Sequence, residues 1–308
     1  MKTQETTINT TNNRDGWLKA RKRGIGGSDA AAALGMSPWK TQLELYLEKR
    51  GELMAPDIDS EAMLWGRVLE PVIRQQYAER TGRTVRVPDI ILCHPEHSFM
   101  LANLDGITDD GRVLEIKTAR TATGWGDPGT DEIPVQYMLQ VQHYMAVTGC
   151  VIADVAVLIS GSDFRLYEVP ANSEIHELMI TGEAEFWDRV QRGKAPEPVS
   201  LADMQAMFPV SRETTVEASD SVAGQVAELV RIRQQIKELE ASEEQTRALV
   251  MQAMGNAESL IYDGETLATW KSGKGVSRFD SKAFQAAHPD LYGQFLKTGA
   301  PVRRFLLK

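Results

Sequence analysis

Two short stretches in the first half of the chain decide the fold, Asn103-Leu104-Asp105-Gly106-Ile107 and Leu114-Glu115-Ile116-Lys117. Both lie in segments rich in apolar and β-branched residues, which is typical of strands. Between them stands Asp109-Asp110-Gly111, a combination that favours a tight turn between antiparallel strands. The pattern therefore predicts a hairpin made of residues 99–108 and 112–119.

On such a strand, Glu115 and Lys117 point to one face and Ile116 to the other. Asp105 is expected on the neighbouring strand, close to that pair. Two carboxylates that converge repel each other unless a divalent cation lies between them, and oxygen ligands suit Mg²⁺ or Mn²⁺. Such an ion could activate water and bind a phosphate oxygen, while Lys117 orients water or stabilises developing charge. Alone, however, a Glu-x-Lys pair is usually a solvated face, so its context decides.

Further elements follow from apolar spacing and from capping residues. Helices are predicted at 30–34, 41–51, 60–82, 134–149 and 173–193. Strands are predicted at 85–93, 99–108, 112–119, 151–160 and 164–169. The three glycines at 24, 26 and 27 are expected to permit positive φ angles. Together these elements indicate an α/β (α+β) class of fold.

The chain is expected to fall into two folded parts. Residues 1–13 are polar and without periodicity, which predicts disorder. Residues 14–198 form the α/β domain, which ends in the linker Lys194-Ala195-Pro196-Glu197-Pro198. Residues 199–308 form a mostly helical C-terminal module with a long helix at 222–254, a strand pair around 260–270 and a basic tail.

Composition excludes several classes of protein. The 308 residues are 42% hydrophobic and 25% charged, which is ordinary usage for a globular chain. Only two cysteines, Cys93 and Cys150, are present, so neither a disulfide scaffold nor a four-cysteine metal site can form within one chain. Neither a signal peptide nor an apolar run of 18 residues is visible, and a cytoplasmic location is therefore expected.

Charge is distributed unevenly along the chain. The net charge is −9, which by itself argues against a protein that binds polyanions. Residues 266–308, however, carry eight basic and two acidic side chains, and residues 14–50 carry eight basic and four acidic ones. Two basic segments on an acidic body suit a protein that touches nucleic acid over limited patches, although solvated faces give the same pattern.

Five ordered motifs carry a family resemblance. They are Trp17-Leu18-Lys19-Ala20-Arg21 with Ile25-Gly26-Gly27-Ser28-Asp29 and the following Leu34-Gly35-Met36-Ser37-Pro38-Trp39-Lys40-Thr41; Trp65-Gly66-Arg67-Val68-Leu69-Glu70; Asp105-Gly106; Glu115-Ile116-Lys117; and Gln140-Val141-Gln142-His143-Tyr144. In order and approximate spacing they resemble the YqaJ-type viral recombinase nucleases, the lambda exonuclease-like group of the PD-(D/E)xK superfamily. The resemblance implies a restriction-endonuclease-like fold, a mixed central β-sheet flanked by helices.

The resemblance also implies a catalytic site. Asp105, Glu115 and the main-chain carbonyl of Ile116 match the residues that bind the catalytic Mg²⁺, for which Mn²⁺ can substitute. Glu70 matches an acidic residue that helps with the metal or with water, and Lys117 matches the lysine that assists the attacking water.

A second group of matched residues concerns DNA. Arg21 and Ser28 match groups that contact a terminal 5′-phosphate, and Gln140 and Tyr144 form a Gln-x-x-x-Tyr signature that lines the same site. The chemistry agrees with this assignment, because an arginine offers a planar fork of donors to a phosphate. Ser28, at a helix start, also places a hydroxyl and main-chain N–H groups where an anion would bind.

The implied function is a Mg²⁺-dependent exonuclease that resects duplex DNA ends 5′→3′. The 3′ single-stranded tails would pass to a single-strand annealing protein in phage-type recombination, in the host cytoplasm if a phage encodes the chain. The family forms closed rings, so a homo-oligomer is expected. Two alternatives are an endonuclease on the same fold, with identical motifs near the metal, and a non-catalytic scaffold that binds DNA ends.

The C-terminal third departs from the family pattern, because a compact member ends soon after the position that corresponds to Glu185. Its long helix could pack back on the first domain, pair with a neighbouring subunit or bind a partner protein.

Overall fold

A computed structural model describes residues 8–9, 21–53, 60–275, 277–296 and 303–307. The chain divides into two units, Met1–Met207 and Phe208–Lys308. The boundary predicted at residue 198 is therefore nine residues too early. A helix at Leu201–Met207 belongs to the first unit, where the Thr41 hydroxyl donates a hydrogen bond of 2.5 Å to Asp203 and Met207 packs against the core.

The elements follow in chain order. The strands are β1 (Ile8–Asn9), β2 (Ile25–Gly26), β3 (Val85–Arg86), β4 (Ile90–Cys93), β5 (Met100–Ala102), β6 (Gly106–Thr108), β7 (Val113–Ala119), β8 (Ile152–Ile159), β9 (Asp163–Pro170), β10 (Ser259–Tyr262) and β11 (Glu265–Thr269). The helices are α1 (Gly27–Ala33), α2 (Gln42–Arg50), α3 (Glu61–Thr81), α4 (Val135–Thr148), α5 (Ser173–Arg192), α6 (Leu201–Met207), α7 (Asp220–Met254), α8 (Ser281–Ala287) and α9 (Pro289–Gln294).

The central sheet of the first unit has five strands in the order β3-β6-β7-β8-β9. β7 and β8 run parallel, and the other neighbours run antiparallel, so the sheet is mixed. A second sheet has the order β1-β4-β5-β2. The expected mixed α/β architecture is confirmed.

Helices cover both faces of the central sheet. α3 packs on one face through Ile73 and Tyr77, against Leu114 and Ile116 of β7. α4 covers the opposite face, where its apolar residues join alternate residues of β7 and β8. That cluster includes Val113, Val141, Tyr144, Met145, Val155 and Val157. Because alternate residues of β7 face different helices, Glu115 and Lys117 point towards α4.

Helix boundaries agree with the capping signals. Thr41 caps α2 by accepting a hydrogen bond from the Glu44 amide, and Ser60 caps α3 in the same way from Met63. Gly51, Gly82, Gly149 and Gly193 end α2, α3, α4 and α5 in the left-handed conformation. These are positions where glycine carries no Cβ penalty.

The strand predictions need two corrections. The strand predicted at 85–93 is divided into β3 and β4, which belong to different sheets. The Val87-Pro88-Asp89 segment separates them, consistent with the lack of a donor at proline. The strand predicted at 99–108 is likewise divided into β5 and β6, so Asp105 lies in the break between strands and not on one.

The glycine prediction is also wrong, because none of residues 24, 26 and 27 has a positive φ angle. Two of these glycines are required by close approach. A Cβ at Gly24 would lie 2.3 Å from the carbonyl oxygen of Phe99, and one at Gly27 would lie 2.3 Å from Cε1 of Tyr144.

Most of the N-terminal segment predicted to be disordered lies outside the described residues. Ile8–Asn9 differ from that expectation, since they pair antiparallel with Ile90–Ile91 of β4.

The second unit is built on the 35-residue helix α7, capped by Ser219, and on the β10–β11 hairpin, as predicted. Apolar side chains of α7 are exposed, among them Val226, Ile232, Ile236 and Leu239. Met254 is the one hydrophobic side chain that is buried among the described residues of this unit. Within the described part of the chain, no helix is long and apolar enough to cross a membrane.

A buried charged pair joins α4 to α5. Nδ1 of His143 lies 2.8 Å from Oε1 of Glu183, and Nε2 lies 3.0 Å from the carbonyl oxygen of Leu101. Both partners are acceptors, so the ring is satisfied only when both nitrogens carry a proton. Burial alone would lower the pKa of His143, but Glu183 and the Leu101 carbonyl outweigh it and raise the pKa.

This pair predicts a pH-dependent stability. A raised folded-state pKa gives a contribution that is complete below the unfolded value of about 6.5 and is lost as pH rises through the folded value. Urea unfolding from pH 6 to 9 should therefore show the wild type losing free energy of unfolding relative to His143→Gln. A constant difference would contradict the charged pair, and His288→Gln, at an exposed position, serves as the control.

Candidate functional site

Glu115, Lys117 and Gln140 form one hydrogen-bonded cluster between β7 and α4. Nζ of Lys117 donates to Oε1 of Glu115 at 2.5 Å, and Nε2 of Gln140 donates to the same oxygen at 2.7 Å. Nζ of Lys117 also donates to Oε1 of Gln140 at 3.1 Å. The shared face predicted for Glu115 and Lys117 is confirmed, and Gln140 reaches them from the helix above.

Asp105 joins this cluster through the main chain of β7. Its Oδ2 accepts a hydrogen bond of 2.8 Å from the amide of Ile116. β6 pairs with β7 only at Gly106 and Ile107, so no residue of β6 lies opposite Ile116 of β7. The side chain of Asp105 thus replaces a strand as the partner of that amide, and this places its carboxylate beside Glu115.

Burial disfavours the ionised form of both carboxylates. It is the main reason that the pKa of Glu115 rises to about 8, and the neighbouring charge of Asp105 raises it further. Burial likewise raises the pKa of Asp105. For Lys117, burial lowers the pKa, but Glu115 and Asp105 outweigh it, so the pKa is raised and the ammonium persists. One lysine charge only partly compensates two converging carboxylates.

The donor set fits a hard divalent cation. Oε2 of Glu115 is buried and finds no hydrogen-bond partner among the described residues. Such an orphan is costly in a protein interior unless something else binds it. The same part of the chain contains no group of three or more His, Cys, Asp or Glu side chains suited to a metal. A cation here would have two carboxylates and main-chain oxygen, and Mg²⁺ typically completes such a set with water and substrate phosphate.

Glu70 lies on α3 and is engaged differently from the sequence prediction. It forms an ion pair with Arg74 one helical turn later, and Nε of Arg74 donates to the main-chain oxygen of Asp105 at 3.0 Å. Burial raises the pKa of Glu70, and Asp105 adds to the shift. Arg74 thus links Glu70 to the main chain of Asp105, at the edge of the cluster. Because the Glu70 carboxylate is paired with Arg74, its direct role at a metal stays a prediction.

Arg21 and Ser28 line a separate cavity of about 60 Å³. The guanidinium of Arg21 donates to Oγ of Ser28 at 3.1 Å. The remaining lining residues include Gly26, Gly27, Asn103 and Tyr144. The side-chain donors of Arg21 and Ser28, beside the start of α1, suit a small anion. The other residues of the first motif, 17–20, lie outside the described part.

Tyr144 connects the cavity to the carboxylate cluster. Its hydroxyl accepts a hydrogen bond of 3.1 Å from Nε2 of Gln140, and its ring lines the cavity. Burial, reinforced by Glu115, raises its pKa well above the usual value, so the hydroxyl stays protonated and can donate. The absence of a Cβ at Gly27 is what lets α1 approach this ring.

Sequence reasoning missed several residues that shape the site. Arg74, one turn after Glu70, carried an i,i+4 signal that could have revealed it. Tyr137 lies under Lys117, whose Nζ is 4.9 Å from the centre of the ring. Asp29 and Lys49 hold Arg21 and had no signal beyond the position of Asp29 next to Ser28.

The raised pKa of Glu115 predicts a pH-dependent cost of folding without metal. The carboxylate ionises near 4.3 in the unfolded chain and at about 8 in the folded one, so stability falls as pH rises across that window. Between pH 5 and pH 9 in EDTA, the Tm of Glu115→Gln should rise relative to that of the wild type by about a few degrees. Glu79→Gln, on the exposed side of α3, should show a constant difference; a constant difference for Glu115→Gln as well would contradict the shift.

Comparison with known proteins places the chain in a family. The model of the YqaJ-like viral recombinase domain matches residues 16–151. The chain is 35% identical over 311 residues to the uncharacterized protein YqaJ of Bacillus subtilis (strain 168), with 97% of this chain and 96% of that protein covered. It is 29% identical over 89 residues to protein D345L of African swine fever virus, with 27% and 26% covered.

Solved structures with similar regions include an alkaline exonuclease (LHK-Exo) from Laribacter hongkongensis, at 21% identity and a TM-score of 0.49, covering 58% of this chain and 94% of that one. A phage related exonuclease from Haemophilus somnus 129PT has 12% identity and a TM-score of 0.38, covering 58% and 100%. Since the Bacillus relative aligns over almost the whole of both chains and the family model spans all five motifs, the chain belongs to the YqaJ-like viral recombinase domain family.

Proposed function

We propose that the protein is a Mg²⁺-dependent DNA exonuclease that resects duplex ends 5′→3′ and leaves 3′ single-stranded tails. The observation that carries the proposal is the convergence of Asp105, Glu115 and Lys117, together with the buried Oε2 of Glu115, which has no hydrogen-bond partner among the described residues. Membership of a viral recombinase family supports DNA as the substrate.

In this proposal Asp105, Glu115 and the carbonyl of Ile116 hold the metal. When bound, Mg²⁺ supplies Lewis-acid polarisation of the scissile phosphate and a more acidic water. Glu70 would help with the metal or with water from α3 once its ion pair with Arg74 opens.

The protein's own part of the reaction centres on Lys117. Its ammonium is fixed by Glu115, Gln140 and the face of Tyr137, so it is positioned before substrate arrives. It orients the attacking water and stabilises the negative charge that develops on the phosphate oxygens. Gln140 is hydrogen-bonded to both Glu115 and Lys117, which fixes the two side chains relative to each other.

End recognition is assigned to the cavity of Arg21 and Ser28. A terminal 5′-phosphate would accept hydrogen bonds from the Arg21 guanidinium, the Ser28 hydroxyl and the Tyr144 hydroxyl. Because Tyr144 also contacts Gln140, the same helix would carry the end-binding residue and a residue that touches Lys117. A preference for 5′-phosphorylated ends separates this exonuclease from an endonuclease on the same fold.

The proposal extends to partners. The 3′ tails would be taken by a single-strand annealing protein, and the enzyme would act as a homo-oligomeric ring. The first fits a viral recombinase family, the second is what the family resemblance of the sequence implies, and Mn²⁺ is expected to replace Mg²⁺.

Substitution of the cluster tests catalysis. Glu115→Ala removes a metal ligand and Lys117→Ala removes the charge that stabilises the transition state, so each should slow digestion of linear duplex by roughly 100-fold or more. Both should still bind duplex in EDTA, measured by anisotropy. Lys194→Ala, at an exposed position after α5, is the control.

Four outcomes would contradict the assignment. Full activity in both variants would remove the site. Digestion of supercoiled circles as fast as linear duplex would favour an endonuclease. On linear duplex labelled at either end of a strand, loss of the 3′ label before the 5′ label would reverse the polarity. Wild type that binds ends without any hydrolysis in Mg²⁺ or Mn²⁺ would favour a non-catalytic scaffold.

Arg21→Ala tests end recognition. Loss of a charged donor to phosphate should lower the rate on 5′-phosphorylated duplex by about tenfold or more, with little change on 5′-hydroxyl duplex. The ratio of the two initial rates is the measurement. A wild type that digests both ends equally would remove the reason for assigning Arg21 this role.

A further inference from the structure

Asp29 holds the guanidinium of Arg21 from behind the cavity. Nη2 of Arg21 donates to Oδ1 of Asp29 at 2.8 Å, and the same nitrogen donates to Oγ of Ser28. The Asp29 side chain is 3% exposed, whereas that of Arg21 is 34% exposed. The carboxylate of Asp29 is therefore buried and fixed, whereas the guanidinium of Arg21 faces the cavity.

Lys49, from the last turn of α2, completes the arrangement. Its Nζ donates to Oδ2 of Asp29 at 2.7 Å and to the main-chain oxygen of Arg21 at 2.8 Å. The Lys49 side chain is 5% exposed. Both the guanidinium and the main chain of Arg21 are thus tied to the same buried pair.

The charges of this group decide what the cavity offers to an anion. Burial raises the pKa of Asp29, but Lys49 and Arg21 outweigh it, so the pKa is held far below its usual value and the carboxylate is ionised. Asp29 alone beside Arg21 would cancel its charge and repel a phosphate. With Lys49 present the three groups sum to one positive charge, and Arg21 keeps its attraction for an anion.

We propose that Asp29 and Lys49 are positioning residues for Arg21, which together set its orientation and leave it a net positive charge towards the 5′-phosphate of a DNA end. The inference rests on the proposed function only for the identity of the ligand as a terminal phosphate. Neither residue touches the substrate; both act through Arg21.

A purely structural role makes a different prediction. Oδ2 of Asp29 also accepts a hydrogen bond of 3.3 Å from the Gly26 amide at the start of α1, so its loss would lower stability in any case. Lower stability by itself does not change how a folded protein discriminates between phosphate and hydroxyl ends. The ratio of affinities for the two ends therefore separates positioning from structure.

A double-mutant cycle on the full-length protein tests the inference. The variants are Asp29→Asn, Lys49→Met and the double variant, and the probes are short duplexes that differ only in a 5′-phosphate or 5′-hydroxyl. Binding is measured by anisotropy in EDTA, where no hydrolysis occurs, with melting curves to confirm folding. Arg50→Met, which removes a charge from the same helix at a residue paired with Glu52, is the control.

The expected pattern is non-additive. Asp29→Asn removes a negative charge, which should strengthen binding of both duplexes through their backbone phosphates, but it should lower the preference for the 5′-phosphate about tenfold because Arg21 loses its anchor. Lys49→Met should lower that preference similarly because Asp29 then neutralises Arg21. Lys49→Met should have a clearly smaller effect once Asp29 is replaced, because only the hydrogen bond from Lys49 to the Arg21 main chain is then left to lose. Arg50→Met should keep the wild-type preference.

Fully additive losses would mean that Lys49 acts independently of Asp29, and would overturn the inference. An unchanged preference in Asp29→Asn would also overturn it, and this variant decides the matter if Lys49→Met does not fold. A wild type without preference would overturn it together with the assigned cavity, whereas absence of hydrolysis in Mg²⁺ would overturn the nuclease proposal and leave this binding result standing.

Discussion

The hydrogen bond from the Ile116 amide to Asp105 is the interaction on which the candidate site depends. It exists because β6 begins only at Gly106, which leaves the Ile116 amide of β7 without a main-chain partner and lets the Asp105 side chain accept its hydrogen bond. A continuous strand would have carried Asp105 in the ladder and given that amide a main-chain acceptor. The break in the sheet therefore creates the convergence of Asp105 with Glu115, and the face covered by α4 supplies Gln140 and Tyr144 to the same place.

The energetics of the site follow from that convergence. Carboxylates are buried where water cannot solvate them, and a single lysine compensates them only in part. Burial and mutual repulsion together favour the protonated forms, and they favour a divalent cation for the same reason. Without a bound cation, the buried carboxylates therefore destabilise the folded protein, and the cation that the site is proposed to bind would compensate their charge. The cavity of Arg21 and Ser28 differs, since the buried carboxylate of Asp29 beside it is already compensated by Arg21 and Lys49.

Much of the fold could be predicted from local signals. Thr41, Ser60 and the terminal glycines set the helix boundaries because capping is a property of neighbouring residues, and the Asp110-Gly111 turn fixed the β6–β7 hairpin. The divided strands could not be predicted from periodicity, since an apolar run looks the same whether it serves one sheet or two. The pairing of Glu70 with Arg74 and of Asp29 with Lys49 also escaped, because such contacts depend on which helices meet. The boundary after Met207 was missed because Asp203 and Thr41 are distant in sequence.

Gln140 and Tyr144 stand one turn apart on α4, and each belongs to a different part of the site. Their spacing is the pitch of a regular helix, which varies little with temperature or with surrounding loops. On the proposed function, one rigid helix would hold both the residue that meets the DNA end and the residue that fixes Lys117. Any displacement of α4 would then disturb end binding and catalysis together, so the two steps could not be altered independently at this helix.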